Sequence, residues 1–172
     1  MDKEKPVWLL DVDGVLNVAR PGWGAPPRNG IAHFGGVEFH MRWAPALVAE
    51  IIRLHRSDQV EVRWATTWAN HITQVEGLLR LPSFPVAFNT PEDDPAVKAP
   101  ALKLETALDI LEREARPLIW TDDDAIPHAP ALLNRLAAPG IPVLLVRTDP
   151  RVGLQPEDLA AIEQFLADPD AF

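Results

Sequence analysis

The sequence predicts an α/β domain of three layers, in which a mainly parallel, five-stranded sheet carries helices on both faces. Two observations lead there. Apolar runs alternate with stretches of helical periodicity along the whole chain, and the runs are apolar nearly throughout, as double burial in a parallel sheet requires.

In chain order, the expected strands cover residues 7–12, 60–66, 84–88, 118–121 and 143–148. Between them, Leu47, Val48, Ile51 and Ile52 mark one amphipathic helix. Leu104, Ala107, Leu108 and Leu111 mark a second, and Leu132, Leu133 and Leu136 a third. The last begins at Pro156, followed by two acids suited to a helix start, and continues through Leu159, Ile162, Phe165 and Leu166. One segment breaks the pattern. In VEFHMRW, Val37, Phe39, Met41 and Trp43 alternate with Glu38, His40 and Arg42, the period of a half-exposed strand. It follows the Gly/Pro-rich stretch RPGWGAPPRNG, so residues 17–43 read as a flap with a hairpin, inserted after strand one and too small to be a second domain.

A chain of 172 residues is expected to form one domain with a real core. Its 47% apolar and 24% charged residues are those of an ordinary soluble protein. No run approaches the roughly 18 apolar residues that span a bilayer, and the first residues lack a signal-peptide core, so a cytoplasmic location is the default expectation. Zero cysteines exclude disulfides, thiolate metal sites and cysteine nucleophiles. The formal charge of −9 argues against a general nucleic-acid surface, while leaving room for a small phosphorylated ligand held by a few basic groups or a metal. The 18 prolines are dispersed and punctuate turns.

The chemistry concentrates at strand ends, where open α/β sheets bind ligands. Strand one ends in Asp11-Val12-Asp13-Gly14, strand two in Thr66 and Thr67, and strand four in Asp122, Asp123 and Asp124. Lys98 stands at the start of the helix leading into strand four. Residues i and i+2 of an extended segment point to the same side, so Asp11 and Asp13 address one point in space. Adding Asp122 and Asp123 crowds negative charge that only a cation relieves, and an all-oxygen donor set favours Mg²⁺.

LLDVDGVLN resembles motif I of the haloacid dehalogenase (HAD) superfamily, a hydrophobic strand followed by DxDGxL. WATTW is similar to motif II, Lys98 in VKAPAL to the motif III lysine, and LIWTDDD to the acidic motif IV, all in family order. The resemblance implies a Rossmann-like fold of the capless HAD type and a Mg²⁺-dependent phosphohydrolase with a small phosphorylated substrate. By its pattern, Asp11 is the nucleophile that becomes an aspartyl-phosphate, and Asp13 the general acid and base. Thr66 or Thr67 binds a phosphoryl oxygen, strand length favouring Thr66, and Lys98 neutralises charge beside Asp11. The metal is held by Asp11, the backbone carbonyl of Asp13 and a motif IV carboxylate; Asp123 aligns with the direct ligand, and Asp122 binds through water or to Lys98. Asp124 is expected outside this shell. Lys103, further along the helix, is expected to lie too far from the strand ends.

Trp8, Trp64 and Trp120, within strands, are expected in the core, whereas Trp23 and Trp68 are candidates for stacking on substrate. The segment NTPEDDPAV is a further candidate for specificity, with Glu92, Asp93 and Asp94 in a solvated loop. The five histidines show no metal-ligand spacing. Three competing readings remain. A signalling receiver domain conflicts with the DxD spacing at strand one. A catalytically idle phospholigand-binding module keeps the fold without turnover. A polynucleotide-end or nucleotide phosphatase, similar to capless HAD domains of end-repair proteins, sits poorly with the charge of −9.

Overall fold

The computed structural model describes residues 4–90 and 95–172. The NTPEDDPAV loop acids Glu92, Asp93 and Asp94 therefore lie outside the described residues. Four parallel strands form the central sheet: β1 (Val7–Leu10), β4 (Glu61–Trp64), β5 (Leu118–Asp122) and β6 (Val143–Arg147). Their spatial order is β4-β1-β5-β6, which puts β1 and β5 in the middle. Every residue of both is buried, which accounts for their unbroken apolar sequence.

Among the described residues the sheet has four strands where the sequence predicts five. Residues 84–88 contribute a single parallel bridge, Trp64 to Val86, along the outer edge of β4. Trp64 N–H donates to the Pro85 carbonyl at 2.8 Å and Ala87 N–H to the Trp64 carbonyl at 2.8 Å. Pro85 has no backbone donor and the Phe84 N–H is taken by Glu76 Oε1 at 2.9 Å, so the ladder does not extend through this stretch.

Helices cover both faces, giving the expected three layers. On one side α1 (Pro45–Arg56), α2 (Ile72–Leu79) and α5 (Pro156–Ala167) pack on Trp8, Leu10, Val62, Trp64 and Ile119. On the other, α3 (Pro95–Asp109) and α4 (Pro130–Ala137) cover Val7, Leu9, Leu118 and Trp120. The strand tryptophans Trp8, Trp64 and Trp120 are fully buried, as expected. The indole of Trp8 donates to the Thr121 hydroxyl at 3.0 Å, which ties the two central strands together by side chains. Helix α5 begins with a capping box between Gln155 and Asp158. Helix α2 escapes the periodicity reading because it has eight residues, barely two turns.

The flap contains an antiparallel hairpin, β2 (Arg28–Phe34) and β3 (Val37–Trp43), in register from Arg28–Trp43 to Phe34–Val37. Gly35 and Gly36 make its two-residue turn, with φ of 57° and 77°. Both values are left-handed, the geometry that closes a tight hairpin and that glycine adopts without strain. At the base Met41 and Trp43 are buried; toward the tip the same face opens to solvent. No helix among the described residues is long and apolar enough to cross a membrane.

Candidate active site

Strand β1 delivers Asp11 to the carboxyl edge of the sheet, where its backbone N–H donates to the Thr121 carbonyl of β5 at 3.3 Å. The chain then turns through Gly14, whose φ is 73°. A Cβ there would lie 2.3 Å from the Asp123 carboxylate, so only glycine lets the β1 turn approach the β5 acids this closely. The Thr148 hydroxyl, just beyond β6, donates to the Gly14 carbonyl at 2.7 Å and pins the turn. Past β5, Asp122 Oδ1 accepts backbone N–H groups from Asp124 at 3.1 Å and Ala125 at 2.8 Å, which curls the acidic triplet back over the strand end.

Asp11, Asp122 and Asp123 each present a carboxylate oxygen, and these oxygens all lie within 4.8 Å of one another. Asp11 and Asp122 are buried and Asp123 is half-buried. Burial raises the Asp11 carboxyl to about 7; Lys103 pulls it down and the charge of Asp122 pushes it up. Asp123 is raised to about 6 by burial and by the charges of Asp124 and Asp122. Asp124 is also raised, by burial and then Asp122. Such crowding fits a hard divalent cation: the donors are all oxygen, they come from two strand ends, and the Gly14 turn holds them together.

Lys103, not Lys98, supplies the ammonium of this cluster. Its Nζ lies 2.6 Å from Asp11 Oδ2 and 2.7 Å from Asp122 Oδ2, and the side chain is buried. Burial disfavours its charge, yet Asp11 and Asp122 outweigh that cost and hold the ammonium well above the usual lysine range. The expectation that Lys103 lies too far away is overturned by helix geometry. Ala99, Pro100 and Lys103 share the face of α3 that lines the cleft, while Lys98 is rotated from Lys103 by about 140°. Helical side chains slant toward the N-terminus, so the long lysine reaches back to the strand ends. Lys98 is exposed on another face.

Asp13 is exposed and clamped. Its Oδ1 accepts from Asn17 Nδ2 at 2.7 Å, and its Oδ2 from the Trp68 indole at 2.8 Å. Asn17 in turn accepts the Arg42 N–H of β3 at 2.9 Å, and Trp68 meets the Phe39 ring edge-on with centroids 5.3 Å apart. Both donors to Asp13 are thus held by the hairpin. Trp68 is buried against this carboxylate rather than open for stacking, and the Trp23 indole donates to the Leu154 carbonyl at 2.9 Å. Of the two threonines, Thr66 is fully buried and its hydroxyl accepts the Trp68 N–H at 3.3 Å, whereas Thr67 lines the cleft. Asp11, Asp13, Asp123 and Asp124 line it too, so Asp124 stands nearer the site than the sequence suggests. Asn17, Trp68 and Thr148 were missed as supporting residues. Asn17 closes the LLDVDGVLN stretch, three residues past Gly14, and Trp68 closes WATTW, so both stand in motif sequence, whereas Thr148 carries no such signal.

A cleft of about 170 Å³ with paired acids, a buried lysine and a hydroxyl at the edge of a parallel sheet is the arrangement the four motifs imply. The model of the HAD domain in Swiss Army Knife RNA repair proteins matches residues 7–159. The chain belongs to this family. No curated protein matches the chain. Membership makes it a HAD-superfamily domain with the Rossmann-like α/β fold and a function of the hydrolase or phosphatase type.

Proposed function

We propose that this protein is a Mg²⁺-dependent phosphomonoesterase that works through transient phosphorylation of Asp11. The observation that supports it most is the convergence of Asp11, Asp122 and Asp123 around a buried Lys103. Asp11 and Asp123 would hold the cation; Asp122 already accepts from Lys103, Asp124 and Ala125, which makes it an anchor for the lysine. When bound, Mg²⁺ would offset the charge of these carboxylates and of the phosphoryl oxygens.

In the first step the Asp11 carboxylate attacks phosphorus, the ester P–O bond breaks, and the leaving oxygen takes a proton from Asp13. In the second, Asp13 takes a proton from water as that water attacks the same phosphorus. The acyl-phosphate P–O bond breaks, inorganic phosphate leaves and Asp11 returns to its starting form. Thr67 donates to a phosphoryl oxygen at the cleft wall, and Lys103 compensates charge beside Asp11. A phosphoester panel in Mg²⁺ tests this: wild type releases phosphate, chelation stops it, and Asp11→Asn is inactive. Unchanged turnover in Asp11→Asn refutes the mechanism.

The family description favours one substrate reading, a phosphate at an RNA end. The charge of −9 weighs against a long basic track, so such recognition would involve few backbone phosphates. Phosphate release from 3′- or 5′-phosphorylated oligoribonucleotides in preference to sugar phosphates tests it.

A further inference from the structure

We infer that Phe34 and Phe39, at the tip of the flap hairpin, form a stacking shelf for the base attached to the scissile phosphate. The inference rests on the phosphatase reading and names the chemistry of its substrate: a nucleobase within one nucleotide's reach of a phosphomonoester.

Phe34, Val37 and Phe39 lie on one face of the hairpin, the face that is buried at Met41 and Trp43. At the tip it opens to solvent, and they are 42%, 54% and 38% exposed. Single exposed apolar residues are ordinary, but three adjoining ones on one face, linked through Phe39 and Trp68 to a cleft carboxylate, are not. The tip is also held in place. The His33 N–H donates to Gln74 Oε1 at 2.7 Å, and the Phe34 ring lies 4.2 Å from that of His71. Phe39 touches Trp68, which donates to Asp13, so the shelf is separated from the general acid by one indole.

Three arguments select a base as occupant. The cleft of about 170 Å³ admits a phosphoryl group and little more, so the rest of the substrate lies outside it, and Phe39 stands one indole away from Asp13 of that cleft. Beside Val37, the exposed side chains at the tip of this face are two phenylalanine rings, 6.3 Å apart and tilted by 44°, and an aromatic face suits any base. A chain of charge −9 repels a polyanionic backbone, which leaves the neutral base as the part it grips most readily.

The test compares substrates differing only by a base: adenosine 5′-monophosphate with ribose 5-phosphate, and 3′- or 5′-phosphorylated oligoadenylates with the same oligomers made abasic at the phosphorylated residue. Wild type should favour the base-bearing member by about tenfold in kcat/KM. Phe34→Leu/Phe39→Leu, which keeps the hairpin apolar, should bring that ratio toward one, and Phe34→Tyr/Phe39→Tyr should retain it. Preference in the mononucleotide pair alone identifies a free nucleotide; preference in the oligomers identifies an RNA end. Calorimetry on Asp11→Asn in Mg²⁺ reads binding without turnover. The phosphorylated oligoadenylate should bind more tightly than its abasic form, with less than about tenfold loss between 50 and 200 mM salt. A wild type that hydrolyses no phosphoester sinks the phosphatase reading, while this titration still reads the shelf. No base preference in turnover and binding, or one that survives in the leucine variant, overturns the inference. So does a dimer that the leucine variant dissociates, since the face is then an interface between copies.

Discussion

Lys103→Met tests the electrostatic core of the site. The ammonium sits 2.6 Å and 2.7 Å from two carboxylates, and neither Lys103 nor Asp122 has appreciable contact with water. Methionine keeps the length of the stem and removes the charge, leaving Asp11 and Asp122 buried without their cation. Breaking a buried ion pair in this way costs about 3–5 kcal/mol. Urea unfolding at pH 7 in chelator should show that loss as a lower midpoint with an unchanged slope. Added Mg²⁺ should then stabilise the variant more than wild type, because it becomes the sole positive charge between the strand ends. Phosphatase activity should fall by about a hundredfold or more even when Mg²⁺ restores stability. Lys98→Met, on an exposed face of the same helix, should cost under about 1 kcal/mol. Should Lys103→Met unfold within 1 kcal/mol of wild type and retain its turnover, the buried bridge has been misread.

Two other expectations follow from the contacts. Trp68→Phe removes the indole donor to Asp13 Oδ2 and keeps the ring against Phe39, so general-acid help should suffer while the fold survives. Turnover of alkyl phosphates should drop about tenfold or more, and that of p-nitrophenyl phosphate, whose leaving group needs no proton, should drop far less; an equal loss on both refutes the clamp. Away from the site, Arg63 meets Glu114 in a two-pronged contact of 2.7 Å and 2.8 Å, and Glu61 accepts from Arg63 and pairs with Arg116 at 2.6 Å. Hydrogen bonds from Arg63 come first among the causes that hold Glu61 and Glu114 below the usual carboxylate range. Groups with a depressed folded pKa contribute stability above their unfolded value and lose it as pH falls through the folded one. Glu114→Gln should therefore cost about 1–2 kcal/mol at pH 7, with the gap to wild type closing below about pH 4.5. A gap that stays constant from pH 7 to pH 3 would count against the network.

The sequence by itself determined the layered α/β architecture, because burial on two faces demands unbroken apolar runs and the helices between them show their stripes. It also determined that Asp11 and Asp122 meet, though not that Asp13 turns to Asn17 and Trp68 or that Asp124 lines the cleft. Asp11 and Asp122 end adjacent parallel strands, and register brings strand ends together whatever the loops do. The proline-interrupted stretch at residues 84–88 read as a strand because its composition is apolar, yet its missing and diverted donors left it one bridge. Choosing between Lys98 and Lys103 needed the rotation of α3 about its axis, and choosing between Thr66 and Thr67 needed the direction the chain takes after β4. The hold of Asn17 and Trp68 on Asp13, and the exposed rings at the hairpin tip, join residues far apart in the chain. Periodicity reports which face of an element is apolar, but what that face meets depends on how separate elements pack, and only the tertiary structure decided that.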